Sequence, residues 1–147
     1  MPGPSWMDRR GAVRVNAITF TVLGEPVPQP RPRIAARGRF AHAYVPAKHP
    51  VHAYRAAIAE EAAKAGLEET AVPVEVIVDA VFARPKSHMT KNGVKPSAPA
   101  LPRPDVDNVA KAVLDALQGV MGDDTNVRRL VVEKSYGSEA RTTIRIQ

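Results

Sequence analysis

The 147-residue sequence contains no cysteine, which excludes disulfide scaffolding, thiolate catalysis and cysteine-based zinc sites. No apolar run approaches the ~18 residues of a membrane-spanning helix. The opening Met1-Pro2-Gly3-Pro4-Ser5 lacks the apolar core of a secretory signal. The expectation is a soluble cytoplasmic protein with no membrane partner. The glycines form no G-x-x-x-x-G-K-[ST] loop, so no nucleotide cofactor is expected. His42, His49, His52 and His88 fall in no H-x-x-x-H arrangement and read as surface or loop residues. What is present, 44% apolar and 24% charged residues, suits one folded domain. Twenty-one Lys and Arg against fifteen Asp and Glu leave +6, a balance that favours nucleic acid as partner.

Acid is also missing locally. Residues 26–59 hold Arg31, Arg33, Arg37, Arg39, Lys48 and Arg55 with no Asp or Glu. Residues 84–104 hold Arg84, Lys86, Lys91, Lys95 and Arg103, again with none. Solvation of an exposed loop would explain either stretch alone; two in one small domain point to arms laid on phosphates. Phe40 and Tyr44 lie in the first arm, where they either stack on unpaired bases or anchor the core.

Periodicity sets the framework. Residues 1–14 have none and read as a loose tail, leaving 15–147 as the domain. Ile18, Phe20 and Val22 alternate with threonines as a strand. The stretch 25–50 contains six prolines and is expected to hold no helix or central strand. Over 51–65, Val51, Tyr54, Ile58, Ala62 and Ala65 recur at helical spacing, with Arg55, Glu61 and Lys64 outward and Gly66 as the stop. Residues 72–83 alternate as a long strand. A second proline-rich stretch, 84–104, has no predicted element and is expected to be a functional or mobile loop. Val109, Ala112, Val113, Ala116 and Leu117 predict a helix over 108–118, capped by Asp107 and ended by Gly119. Residues 127–134 and 141–146 predict a closing hairpin around Gly137. The order β-α-β-α-β-β predicts an α+β domain, a mixed sheet covered on one side by two helices.

Within this cationic background, Arg103-Pro104-Asp105-Val106-Asp107-Asn108 stands out. Asp105 and Asp107 are two apart in extended backbone, so both carboxylates point to one side. Adjacent carboxylates repel and are costly without a cation, and hard oxygen ligands suit Mg²⁺. Ordinary helix capping is the simpler reading of a lone D-x-D. Asn108, Lys111 and Asp115 share one stripe of the helix, and Asp123-Asp124 follows it. A turn after the helix can fold back toward either end, where a third carboxylate would complete a metal site.

The run Pro104-Asp105-Val106-Asp107-Asn108, Lys111, Asp115-Ala116-Leu117 and Asp123-Asp124 resembles the RusA family of Holliday junction resolvases. The resemblance extends to Gly24-Glu25-Pro26, Arg31-Pro32-Arg33, Arg84-Pro85-Lys86-Ser87-His88 and Lys95-Pro96-Ser97, about residues 17–146 in all. It implies that Asp105, Asp107 and Asp124 bind Mg²⁺, with Mn²⁺ as a substitute, and that Lys111 is catalytic. Asn108 and Asp115 would then support them. It further implies a homodimer making symmetric cuts in a four-way junction, in phage or prophage recombination in a bacterial cytoplasm. The sequence departs from the family at Gln118 and at Met121-Gly122, a shortening that leaves Asp123 as an alternative to Asp124. A non-catalytic DNA-binding protein is the second reading, disfavoured because acids facing phosphate are a liability without metal. A D-x-D glycosyltransferase ranks last, since it needs a larger nucleotide-binding fold. For the dimer interface, the apolar surplus of residues 72–82 points to the sheet surface.

Overall fold

The computed structural model describes residues 17–38 and 40–147; the expected tail, 1–14, and Arg39 lie outside the described residues. The elements run β1 (Ile18–Leu23), β2 (Arg33–Arg37), β3 (Phe40–Tyr44), α1 (Pro50–Lys64), β4 (Val74–Ala83), β5 (Met89–Thr90), β6 (Gly93–Val94), α2 (Val106–Met121), β7 (Val127–Gly137) and β8 (Arg141–Ile146). Among the described residues no helix is long and apolar enough to cross a membrane.

The fold is α+β, with a mixed four-stranded sheet ordered β1-β8-β4-β7. Val74, Val76 and Val78 of β4, Ile144 and Ile146 of β8 and Phe20 and Val22 of β1 face the helices. They pack on Val51, Tyr54 and Ile58 of α1 and Val113, Ala116 and Leu117 of α2. The alternation read in β1 and β4 is therefore the core face itself. The buried Tyr54 hydroxyl shares a hydrogen bond with Thr142, and burial pushes the phenol up from its ordinary value. The other sheet face mixes threonines and charges with Ile77 and Val131.

Four expectations are corrected. The closing strands form no hairpin: β7 lies parallel to β4 and β8 antiparallel to its other side. The link between them crosses the end of β4, and a Cβ at Gly137 would stand 2.6 Å from Val81 Cγ1, so glycine is required there. The expected order omits two separate ribbons, β5–β6 in the 84–104 loop and β2–β3 in the 25–50 stretch, which holds no central strand, as expected. Its prolines flank 33–44, and that proline-free segment pairs as the ribbon β2–β3, in register from Arg33 opposite Tyr44 to Arg37 opposite Phe40. α2 is longer than expected. It starts with Asp105, not Asp107, as N-cap, runs through Gly119 and stops at Gly122, whose φ is +89°. Gly119 has open space around it, while the buried Met121 gains from extending the helix. Finally, Arg55 does not simply point outward but turns between the two helices.

Candidate active site

The N-terminus of α2 gathers the expected machinery. Pro104 leads into Asp105, whose φ of −68° and ψ of 142° make it the extended N-cap; its side chain makes no capping hydrogen bond. That carboxylate is exposed and is not used by the helix it begins, so capping does not account for it. Asp107 sits in the first turn, also exposed, so the pair spans the helix start and is not held in the extended backbone that the two-residue spacing suggests. The positive end of the helix dipole lowers the cost of holding both charges together.

Asp107, Lys111 and Asp115 follow at four-residue spacing on one stripe. Lys111 Nζ lies 3.7 Å from Asp115 Oδ1, and Asp115 Oδ2 lies 3.9 Å from Arg55 Nη2 of α1. Arg55 also donates to Gln29 Oε1, and Gln29 N donates to Asn108 O at 2.9 Å. A chain of contacts thus ties the proline arm, α1 and α2 together from Asn108, next to Asp107, to Asp115, about two turns along. Nothing in the small-residue helix stripe around Arg55 hints at this role, and its spacing alone predicts a solvent-facing side chain.

The second acidic pair lies elsewhere. Asp123 accepts from Thr125 N at 3.1 Å and caps the single 3-10 turn Asp124–Asn126, whereas Asp124 has no such duty. Asn126 donates to Thr70 O, and Val127 opens β7 opposite Val74. The turn therefore stays at the C-terminal end of α2. Sixteen residues of helix at about 1.5 Å each separate the two acidic pairs by roughly 24 Å. A second ruler agrees: Lys134, which holds Pro104, is seven residues along β7 from Val127, roughly 23 Å at ~3.3 Å per residue. Among the described residues no three Asp, Glu or His side chains converge as a metal site. One chain places Asp105 and Asp107 at the start of α2 and Asp124 beyond its other end. The donor set at the helix start still fits Mg²⁺, which binds through one or two carboxylates while keeping waters or phosphate oxygens.

The cations divide into two groups. Arg31, Arg33, Lys86, Lys91, Lys95 and Arg103 are exposed. Arg84 is instead structural: its guanidinium lies 4.3 Å from the Tyr136 ring centroid and donates to Pro99 O at 3.0 Å. The side chains of Arg37 and Phe40 lie outside what is described. In the ribbon, Tyr44 is 40% exposed and pairs with His42 at 5.8 Å between rings, so it does not anchor the core. Lys134 is a functional residue that sequence reasoning misses. Its Nζ donates to Pro102 O and Pro104 O at 2.9 and 2.8 Å, fixing the backbone that presents Asp105. A lone lysine in the strand Leu130-Val131-Val132-Glu133-Lys134 is the available signal.

Residues 24–147 match the family described as endodeoxyribonuclease RusA. A relative is an uncharacterized protein, YqaN, of Bacillus subtilis strain 168. It is 34% identical over 141 residues, spanning 90% of this chain and 97% of that protein.

Proposed function

The chain belongs to the RusA endodeoxyribonuclease family, and on that premise we propose that it is a Mg²⁺-dependent resolvase of four-way DNA junctions. It works as a twofold homodimer, and each of its two metal centres is shared between subunits. The observation that carries this reading is the exposed Asp105–Asp107 pair, free of capping duty and flanked by cationic segments. The separation of Asp124 from that pair favours sharing. A twofold axis beside α2 would bring one subunit's helix start to the other's helix end, and closed twofold dimers are the commonest assembly.

In this account Asp105 and Asp107 hold the metal together with the partner's Asp124. Asp124 is preferred to Asp123, whose Oδ1 already accepts from Thr125 N. Bound there, Mg²⁺ would supply Lewis-acid stabilisation and a more acidic water for phosphodiester hydrolysis. Lys111, held by Asp115, offsets negative charge on the phosphate in the transition state. Asn108 fixes the proline arm through its backbone carbonyl, keeping Arg31 and Arg33 near the strand to be cut. Lys86, Lys91, Lys95 and Arg103 hold the phosphates of a second arm. Phage or prophage recombination in a bacterial cytoplasm is the setting in which paired cuts at such junctions are needed.

The test is a labelled four-way junction incubated with protein and Mg²⁺, Mn²⁺ or EDTA. Paired symmetric cuts with either metal and none in EDTA are expected. Binding without cleavage would favour a DNA-architectural protein. Equal cutting of linear duplex would contradict junction selectivity.

A further inference from the structure

Beside the carboxylate pair lies a cavity of about 440 Å³ that metal binding and phosphate binding leave unused. It opens at the C-terminal ends of the parallel strands β4 and β7, where the 84–104 loop covers the sheet in place of a helix. Four prolines and the rings of Phe82 and Tyr136 form its walls. One of those prolines is Pro104, directly before Asp105, so whatever enters the cavity sits one residue from the proposed metal centre.

The polar groups are few and specific. Glu25 lines the cavity and accepts from Ala83 N at 3.3 Å through Oε2, and a carboxylate has further acceptor capacity for a ligand donor. His88 lines it as well; its Nδ1 is buried with no hydrogen-bond partner, and its ring stands edge-on to Tyr136 at 5.6 Å. An unpaired buried ring nitrogen is costly unless a ligand satisfies it. Arg103 borders the rim. The loop forming the cavity is tied by Arg84 to Pro99, by Lys134 to Pro102 and Pro104, and by Lys95 N to His88 O.

Flat apolar walls with a carboxylate among them do not suit phosphate, which a carboxylate repels. They suit a planar heterocycle that stacks on an aromatic ring and offers an N–H donor. We propose that this cavity receives one nucleobase of the strand being cut, turned out of the stack at the branch point. Glu25 then selects a base with an exocyclic amino group, cytosine, adenine or guanine, over thymine, whose imide N–H lies between two carbonyls that a carboxylate repels. This rests on the junction-nuclease reading and adds to it a source of cleavage-site choice. Bases at a branch point are already poorly stacked, so extruding one there costs less than in a duplex.

The test uses synthetic four-way junctions that differ only in the base at each crossover position, with wild type, Glu25→Gln and His88→Ala. Wild type should cut about tenfold slower where one fixed crossover position carries thymine than where it carries cytosine, adenine or guanine, the discrimination expected of one good base contact. Glu25→Gln keeps the bond to Ala83 through its amide oxygen and turns an NH₂ toward the cavity. It should erase or invert that preference while junction affinity stays within about twofold. His88→Ala should slow cutting at preferred sites only. Wild type cutting without base preference, or Glu25→Gln retaining it, overturns the proposal. In parallel, 2-aminopurine at each crossover position should brighten at one position when protein binds. Failure of wild type to cut any junction contradicts the nuclease reading, and the emission assay then still decides the base site: no rise at any position overturns it.

Discussion

The two ends of α2 each carry an acidic pair, but the pairs are not equivalent. At the C-terminal end Asp123 closes a 3-10 turn through Thr125 N, leaving one acid free. At the N-terminal end Asp105 begins the helix without capping it, so both carboxylates stay available, and Lys134 and the Gln29 arm hold the surrounding backbone. One end is a connector with a spare acid; the other is a prepared site that lacks a third ligand. With α2 as a strut between them, folding of one chain does not unite the two, and the proposed dimer is what would.

The comparison can be broken first at the prepared end. Asp107→Asn should reduce junction cleavage by at least about a thousandfold while binding is unchanged or tighter, because the acid serves metal and not affinity. Gel-shift and single-turnover cleavage on the same folded variant check this; a collapse of binding alongside cleavage would contradict the division of labour. Lys111→Ala should follow, with a drop of about 10²–10³ in the cleavage rate, the scale of removing one transition-state charge interaction. Its binding constant should move little.

How much of this was legible in the sequence depended on whether a partner was local. The helix stripe of Val109, Ala112, Val113, Ala116 and Leu117 and the alternation of Val74, Val76 and Val78 record burial against one neighbour, and both are readable. Strands β7 and β8 look like a hairpin because nothing near Gly137 announces that β4 lies between them. The ribbon escapes notice because the prolines crowded around it hide a proline-free core. Gly119 reads as a stop, yet the burial of Met121 outweighs the modest helix penalty of one exposed glycine. The acids are legible as a motif. Their distance is not, since it depends on the turn at Gly122 leaving Asn126 bonded to Thr70 and the chain not returning along the helix.

A smaller effect is expected from the support of the prepared end. Lys134→Met removes charge-assisted bonds to two proline carbonyls, and the cleavage rate should fall about tenfold with a stability loss of ~1.5–3 kcal/mol. Thermal unfolding and cleavage measured together separate the two; a fully active variant would show that Pro104 needs no such anchor. The smallest effect lies farthest from both ends. Neutralising Lys86, Lys91 and Lys95 should weaken junction binding and lower the log–log salt slope by ~0.9 for each phosphate that a lysine no longer neutralises. An unchanged slope would mean that the 84–104 loop does not touch DNA.

The shared site is tested most directly by mixing two inactive variants, Asp107→Asn and Asp124→Asn, and allowing subunits to exchange. If each centre takes Asp105 and Asp107 from one subunit and Asp124 from the other, a mixed dimer keeps one intact centre. Nicking of one strand of a four-way junction should then return to roughly a quarter of the wild-type level of active centres. If each chain builds its own centre, every centre in the mixed dimer is damaged. Failure of exchanged subunits to recover any cleavage would contradict the account.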